Sequence, residues 1–302
     1  MLEIFYKNKE EILKKSLKFF SNSNSHLLKI GCELEFFLLQ KNLQAIENQG
    51  FLAQKIAELK NQLTKNFSLI YQVEKERGVS QIEVKTIFTD NLFELCCQLE
   101  NAKSFIKNFA VTENLVASFA AQPFLDDCGN ALQFNLSPHG ANEENIFLHN
   151  QKIVKNIANS LLENTNSMMI FLAPNQEDYL RFCPKINQNL FKQGKFSAPI
   201  NLSFGVDNRT CAIRFLKLKD SARLEFRVAA ANAEIFLSVA SILLAISLPQ
   251  KDQNLIKIHG NAFDDQYGLE NFCSNLAQAN DLFFAEKNFI RQTFLNFSTQ
   301  IL

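Results

Sequence analysis

The sequence contains no tryptophan, only four histidines and no excess of charge of either sign. Lys and Arg together number 31, as do Asp and Glu, so the net charge gives no electrostatic reason to expect a nucleic acid or a membrane surface as a partner. Small-molecule substrates and other copies of the chain, in a possible homo-oligomer, are the partners that remain.

Long apolar runs and cysteine pairs are also missing. The most apolar stretch, Ala229 to Leu248, contains Asn232 and Glu234 and is only marginally long enough to cross a bilayer, so a buried helix is predicted. The seven cysteines include no CxxC pair, which excludes the usual zinc signatures and a disulfide framework. The N-terminal residues are charged, unlike a secretory signal. Together these features predict a cytoplasmic protein with reduced thiols.

Hydrophobic periodicity divides the chain into helices and strands without a regular βαβ order. A helix and a linker are predicted over 1–25, followed by one large domain over 26–302. Helical spacing predicts helices at 8–20, 52–65, 92–109, 143–164 and 232–248, with two more between 266 and 300. Period-two alternation predicts strands at 30–39, 68–76, 81–88, 115–122, 132–137, 199–205, 211–217 and 222–228. This order predicts an α+β fold with an antiparallel sheet.

Polar side chains of unusual type recur at every second position of four predicted strands. Since successive side chains of a strand point to opposite faces, each of these strands has one polar and one apolar face. For any one strand, an ordinary solvated face is the simpler interpretation, because half-exposed antiparallel strands are common. The polar faces carry Glu33 and Glu35; Gln81 and Glu83; Gln133, Asn135 and Ser137; and Arg223, Glu225 and Arg227.

Four such strands together favour a functional site. Clustered carboxylates repel one another unless cations neutralise them, and acidic sites rich in oxygen suit Mg²⁺ or Mn²⁺. Arginines suit the phosphates and carboxylates that accompany such metals. The pattern therefore predicts a site for metals and anionic ligands on one face of the sheet.

From Gly31 to about Leu248, the order of these segments resembles the catalytic domain of the glutamine synthetase family of ATP-dependent carboxylate–amine ligases. The segments that carry the resemblance are ELE at 33–35, ERGVSQIE at 76–83, AQPFLDDCGNALQFNLS at 121–137, PNQEDYLR at 174–181, SFGVDNRTCAIR at 203–214 and RLEFRVAAANAEIFL at 223–237. The resemblance implies a catalytic domain over 26–302 whose curved antiparallel sheet is flanked by helices. It also implies ATP and Mg²⁺ or Mn²⁺ as cofactors, with an amino acid and an amine as substrates.

The resemblance further implies a role for each matching residue. The implied metal ligands are Glu35, Glu83 and Glu76, with Glu74 as the alternative to Glu76, for a first cation, and Glu33, Gln133 and Glu225 for a second. The implied nucleotide-binding residues are Arg214, Arg223, Asn135 and Ser137. Those implied for the acid substrate are Arg181, Arg227 and Gly129, and the implied catalytic residues are Arg209 and Arg227. In the implied reaction a carboxylate is phosphorylated to an acyl phosphate, which an amine then attacks.

Several positions depart from the family pattern. Gln133 and Asn135 stand where the family has histidines, and an amide oxygen ligates Mg²⁺ more weakly. Cys128 replaces an Asn that contacts the amino acid, and Ser197 falls where the family has a Glu that takes a proton from the attacking amine. The residues before Glu33 are too few for the small β-grasp domain that the family places there.

Three functions agree with this sequence. One is an active ligase that joins glutamate or a similar acid to ammonia or another amine. The second is a catalytically silent relative that binds nucleotide or an amino acid as a regulatory or partner protein. The third is a γ-glutamylamine or glutamate–cysteine type ligase. The retained carboxylates and arginines favour ligase activity over silence, while the altered amine side makes glutamine formation the less expected reaction.

Overall fold

The computed structural model describes residues 2–195, 198–248 and 257–299. Within these ranges, the α-helices are α1 (Leu2–Lys7), α2 (Lys9–Ser23), α3 (Gln49–Asn66), α4 (Leu92–Thr112), α5 (Gln151–Leu172), α6 (Pro184–Lys192), α7 (Ile235–Ile246), α8 (Leu276–Phe284) and α9 (Phe289–Thr299). The strands are β1 (Leu27–Gln40), β2 (Ile70–Lys75), β3 (Gln81–Thr86), β4 (Leu115–Ser118), β5 (Leu132–His139), β6 (Phe204–Val206), β7 (Ile213–Lys217) and β8 (Ala222–Phe226).

The strands form one sheet in the order β2-β3-β1-β5-β8-β7-β6, and β4 pairs with the last part of β1, Phe37–Gln40. The neighbouring strands are antiparallel except β6 and β7, which are parallel. The predicted α+β fold with an antiparallel sheet flanked by helices is confirmed, and the parallel pairing of β6 with β7 departs from it. Because β6 is only three residues long, the loop over 207–212 is enough to bring the chain back alongside it in the same direction.

Apolar side chains from the sheet and the helices meet in one large core. Leu34 and Phe36, which alternate with Glu33 and Glu35 along β1, are fully buried there. Every side chain of α7 is buried, and this helix packs against α2 and α5, which explains the most apolar stretch of the sequence as a core helix. The helices within the described ranges are too short or too polar to traverse a lipid bilayer.

The N-terminal helices share this core. Phe5 of α1, and Ile12 and Leu13 of α2, are fully buried in it. After α2 ends at Ser23, the chain enters β1 at Leu27. The division of the chain into an N-terminal segment over 1–25 and a domain over 26–302 stays a prediction.

The helix predicted over 143–164 begins later and ends later, at Gln151 and Leu172. Glu143 has a left-handed backbone with φ 63°, which no α-helix accommodates. The Asn150 side chain then accepts a hydrogen bond from the backbone N–H of Ile153 and caps the true first turn. Local polar caps, which the hydrophobic period does not register, therefore set this boundary.

Candidate active site

The register of the sheet lines up polar side chains from neighbouring strands on one face. In one row, Glu83 of β3 pairs with Glu35 of β1. In the next row, Lys85 of β3 pairs with Glu33 of β1, which pairs on its other side with Gln133 of β5. Because each strand has a period of two, these side chains share one face while the residues between them face the core.

The same face continues across β8 and β7 with arginines. Asn135 of β5 pairs with Glu225 of β8, and Glu225 pairs with Arg214 of β7. Arg223 Nε donates to Asn135 Oδ1 at 2.9 Å, and Arg227 Nη1 donates to Glu225 Oε1. The carboxylates of β1 and β3 therefore face arginines of β7 and β8 across the amides of β5.

A cavity of about 160 Å³ lies between these two groups of side chains. Its charged lining consists of five carboxylates and five cationic side chains: Glu33, Glu35, Glu76, Glu83, Glu225, Lys85, Arg209, Arg214, Arg223 and Arg227. Gly129 and Gln133 line it as well. Most of the predicted site residues thus come together at one place, and Asn135, Ser137 and Arg181 lie beside it.

A second cavity, of about 550 Å³, adjoins the first at Arg223, which lines both. Ser137 and His139 lie on its wall, with Ser137 Oγ 3.0 Å from His139 Nε2. Phe88 and Leu148 contribute apolar surface. The guanidinium of Arg223 therefore lies at the junction between a small polar cavity and a larger, partly apolar one.

Arg181 lies behind the part of the wall formed by Gly129. Arg181 is only 1% exposed, and its Nη2 donates to the Arg227 carbonyl at 3.4 Å. Its Nε and Nη1 have no hydrogen-bond partner in the described part of the chain. A Cβ added to Gly129 would lie 2.5 Å from the Ala121 carbonyl oxygen and 2.6 Å from Gln122 Oε1, so glycine is needed here by the close approach of the 121–122 segment, and Arg181 Nη1 lies just beyond, at 3.2 Å. A buried cation with unused donors suits an anion such as a carboxylate.

The carboxylates of β1 and β3 repel one another. Burial, together with the charges of Glu33 and Glu35, raises the pKa of Glu83 to about 9. Burial raises the pKa of Glu35 to about 7, and the charge of Glu76 adds to this shift. Burial and the charge of Glu225 raise the pKa of Glu33. A bound cation would relieve such repulsion.

Lys85 is a residue of the cavity that the sequence patterns do not single out. Its Nζ lies 2.8 Å from Glu83 Oε2 and 2.6 Å from Glu74 Oε1. The period of two that places Glu83 on this face also places Lys85 there, and this signal could have revealed it. Glu74 is held by Lys85 outside the cavity lining, whereas Glu76 lines the cavity, so Glu76 is the better placed of the two alternative ligands.

The residues predicted for the first cation, Glu35, Glu76 and Glu83, fit one by the chemistry of their donors. They are carboxylates that repel one another at one cavity, and Mg²⁺ and Mn²⁺ prefer such oxygen ligands. In the arrangement described, no three His, Cys, Asp or Glu side chains of residues 2–195, 198–248 and 257–299 are placed to hold a metal ion. Any cation would therefore draw these carboxylates together as it binds.

The residues predicted for the second cation, Glu33, Gln133 and Glu225, do not fit one. Gln133 Oε1 accepts a hydrogen bond from Arg227 Nη1 at 3.0 Å. Both carboxylate oxygens of Glu225 accept from arginines, Oε1 from Arg227 and Oε2 from Arg214 at 3.2 Å. The side-chain oxygens of Gln133 and Glu225 are thus already bonded to guanidinium groups, and Glu33 Oε1 accepts from Asn135 Nδ2 at 3.3 Å.

Three further positions that the sequence assigns to the site are Arg209, Cys128 and Ser197. Arg209 lines the cavity but is exposed. Cys128 also lines it, and burial and the charge of Asp127 raise the pKa of its thiol to about 12, so the thiol is neutral. Ser197, the position predicted for the segment that closes the site, lies outside the described residues.

The chain is similar to known proteins of one family. The family described as glutamine synthetase, catalytic domain, matches residues 54–299. The γ-glutamylputrescine synthetase PuuA of Escherichia coli K12 is 26% identical over 202 residues, which are 63% of this chain and 40% of that protein. The glutamine synthetase of Thermotoga maritima is 23% identical over 235 residues, which are 71% of this chain and 51% of that protein.

Solved structures have the same fold. The complex of GmaS with ADP matches with a TM-score of 0.77 at 22% identity, over 97% of this chain and 73% of that chain. The cryo-EM structure of Plasmodium falciparum glutamine synthetase matches with a TM-score of 0.71 at 17% identity, over 97% of this chain and 76% of that chain. The chain spans about half or less of the length of the two sequence relatives. Since the family match covers well over half of its residues, the protein belongs to the glutamine synthetase family through the catalytic domain.

Proposed function

We propose that the chain catalyses the ATP-dependent joining of a carboxylic acid to an amine. The observation that carries this proposal is the cavity on the sheet face, where five carboxylates face five cationic side chains. Phosphoryl transfer from ATP to a carboxylate brings two anions together, so the site needs positive charge around the phosphates. Membership of a family that generally uses ATP and divalent metal ions supports the proposal.

In this proposal the nucleotide occupies both cavities. Arg214 and Arg223 bind its phosphates at the junction, and Asn135 holds Arg223 there through the bond of 2.9 Å to its Nε. Ser137 and the apolar wall of the larger cavity receive the sugar and the base. Arg209, which is exposed at the edge of the smaller cavity, is free to move toward the transferred phosphoryl group.

Glu35, Glu76 and Glu83 would hold one Mg²⁺ or Mn²⁺ beside the phosphates. This cation would offset negative charge on the transferred phosphoryl group. The carboxylates themselves keep the cation at the acidic end of the cavity, opposite the arginines of β7 and β8.

Arg181 binds a carboxylate of the acid substrate next to Gly129. The unused Nε and Nη1 of this buried guanidinium provide two donors for it. Arg227, the other residue predicted for this role, already donates to Glu225 and Gln133. Arg181 is therefore the stronger of the two candidates.

The proposed reaction has two steps. An oxygen of the substrate carboxylate attacks the γ-phosphorus of ATP, the bond from that phosphorus to the leaving ADP oxygen breaks, and an acyl phosphate forms. The nitrogen of a neutral amine then attacks the acyl carbon, a C–N bond forms, the bond from the acyl carbon to the phosphate oxygen breaks, and the departing inorganic phosphate takes up the proton that the amine loses. Arginines around the cavity stabilise the charge of the phosphoryl oxygens in both steps.

A γ-glutamylamine is the second candidate product. It is favoured by the similarity, over 63% of this chain, to a protein named γ-glutamylputrescine synthetase. With glutamate as the acid, ammonia as the amine would give glutamine, and a larger amine would give a γ-glutamylamine. The two products differ only in the amine, so direct assay has to decide between them.

Calorimetric titration with ADP in the presence of Mg²⁺ tests the nucleotide site. We expect binding by the wild type, a loss of about tenfold or more in Arg223→Gln because a charged hydrogen bond to phosphate is removed, and no change in Lys65→Gln. Lys65 is the matched control because it is an exposed cation on α3, outside both cavities. Absence of ADP binding by the wild type would overturn the proposal.

Release of ADP from ATP then identifies the reaction. Glutamate is supplied with ammonia, with putrescine, or with no amine, and the amide product is measured beside the ADP. ADP release with either amine supports the ligase, and the preferred amine separates the two products. Nucleotide binding without any turnover would instead identify a catalytically silent relative.

We also propose that residues 26–302 act as the catalytic unit in the cytoplasm and that copies of the chain assemble, since members of the family form oligomers. Light scattering of the purified protein tests the assembly. A single chain at the concentrations used for turnover would contradict it.

A further inference from the structure

The two amides of β5 connect the acidic and the basic strands in the same way. Gln133 Nε2 donates to Glu35 Oε1 at 2.9 Å, while Gln133 Oε1 accepts from Arg227. Two residues further along β5, Asn135 Nδ2 donates to Glu33 Oε1 at 3.3 Å, while Asn135 Oδ1 accepts from Arg223. Each amide therefore bridges a carboxylate of β1 and an arginine in β8 or directly after it.

Chemistry fixes the orientation of these amides. A carboxylate only accepts hydrogen bonds and a guanidinium only donates them. If the amide of Gln133 were turned over, its N–H groups would face the donors of Arg227 and its oxygen would face the carboxylate of Glu35. The oxygen of Gln133 is thus committed to Arg227.

The guanidinium of Arg227 lies among the oxygens predicted to bind a second metal. It contacts Gln133 Oε1 and Glu225 Oε1, and both Arg227 and Glu225 are 3% exposed. A divalent cation at these oxygens would have to displace a buried positive charge, and the two cations would repel each other. The cavity lining, with five carboxylates and five cationic side chains, is already balanced in formal charge.

We propose that Arg227 takes the place of the second divalent cation, so that the chain binds one cation, at Glu35, Glu76 and Glu83. The inference rests on the proposed function for the identity of this site and deepens it by fixing the number of its metal ions. The two amides make the replacement possible, because each accepts a hydrogen bond from a guanidinium on one side and donates one to a carboxylate on the other. Arg227 is then a positioning residue that holds Glu225 and Gln133.

Electron paramagnetic resonance titration with Mn²⁺ counts the bound cations directly. For the wild type we expect one Mn²⁺ per chain, both without nucleotide and with ADP. Arg227→Gln, which removes the guanidinium from Glu225 Oε1 and Gln133 Oε1 and leaves Arg214 on Glu225 Oε2, should bind a second Mn²⁺. Arg227→Lys, which keeps the charge, and Arg209→Gln, which removes an exposed cation of the same cavity, should each bind one.

Two Mn²⁺ in the wild type, or no gain in a folded Arg227→Gln variant, would overturn the inference. If Arg227→Gln does not fold, as judged by circular dichroism, the counts for the wild type and for Arg227→Lys still decide. Failure of the proposed function is separate, because it would appear as absent ADP binding in the same samples. The Mn²⁺ count without nucleotide does not depend on that result.

Discussion

Glu83 and Glu225 lie on the same face of one sheet and are equally buried, at 5% and 3% exposed, yet their carboxyl groups have opposite surroundings. Burial and the neighbouring Glu33 and Glu35 raise the pKa of Glu83 to about 9. Burial alone would raise the pKa of Glu225 as well, but Arg227 and its neighbouring arginines outweigh burial and lower it. The difference arises from the neighbours, since the burial is the same.

The half of the site formed by Glu225, Arg214 and Arg227 is completed, because its opposite charges pair within the chain. The half formed by the carboxylates of β1 and β3 is incomplete. At β8, the Glu225 carboxylate pairs with two cations of the chain, Arg214 and Arg227, so its charge is compensated without a ligand. On β1 and β3, the carboxylates outnumber Lys85, the cation that contacts them. An external cation has most to gain from binding at the incomplete half.

The largest loss of stability is expected when the ion pairs of the completed half are removed. Glu225→Ala would leave Arg227 buried without its carboxylate and would remove the inner partner of Arg214, and removing one partner of a buried ion pair costs about 3–5 kcal/mol. Urea unfolding monitored by circular dichroism measures the free energy of unfolding. Glu225→Gln keeps an acceptor oxygen and should lose less. A loss below about 1 kcal/mol in Glu225→Ala would mean that the arginines find other partners.

At the incomplete half, a substitution is expected to raise the free energy of unfolding instead of lowering it. Glu83→Gln removes a buried carboxyl whose charge is disfavoured, so it should raise the free energy of unfolding by about 1–3 kcal/mol at pH 8 in the presence of EDTA. The matched comparison is Glu225→Gln, which should be destabilising under the same conditions. A destabilised Glu83→Gln variant would show that Lys85 already compensates the charge of Glu83.

This gain should also depend on pH. The unfolded chain releases the Glu83 proton near 4.5, whereas the folded chain holds it up to a pKa of about 9. The folded state therefore binds more protons between these values, and wild-type stability falls as the pH rises through this window. The stabilisation by Glu83→Gln should accordingly be small at pH 5 and larger at pH 8. Equal gains at both pH values would contradict the raised pKa.

A smaller loss is expected when the internal cation of the incomplete half is removed. Lys85→Met keeps most of the side-chain length but deprives Glu83 and Glu74 of their ammonium partner. Because Lys85 is partly exposed, the cost should be about 1–2 kcal/mol. The variant should also bind Mn²⁺ more tightly, since the acidic cluster then lacks its internal cation. An unchanged Mn²⁺ affinity would show that the charge of Lys85 does not affect the cation site.

The polar faces could be predicted from the sequence because they depend on a local period of two. Glu33 and Glu35, like Gln133 and Asn135, share a face whatever strand lies beside them. Their pairing across strands depends on register, which the sequence specifies only through long-range packing. The contact of Arg227 with Gln133 is of this second kind, and it changes an implied metal ligand into a hydrogen-bonded bridge.

Two other features could not be derived from the alternation of residues along the strands, for different physical reasons. The parallel pairing of β6 with β7 depends on the path of a short loop, and strand alternation carries no information about direction. Arg181 was identified only through a resemblance, and its burial with unused donors follows from the packing of the segment around it. In both cases the missing information lay in tertiary contacts.

The smallest effect is expected at the exposed end of the completed half, where Arg214 also pairs with Asp207. The Asp207 side chain is 69% exposed, so solvent screens this pair, unlike the buried pair of Arg214 with Glu225. Asp207→Asn should lower the free energy of unfolding by less than about 1 kcal/mol. Asn is the appropriate replacement because Asp207 has a φ of 48°, a backbone conformation that Asn tolerates and most other residues do not. A loss as large as that of Glu225→Ala would show that the outer carboxylate, and with it the loop over 207–212, holds Arg214 in the site.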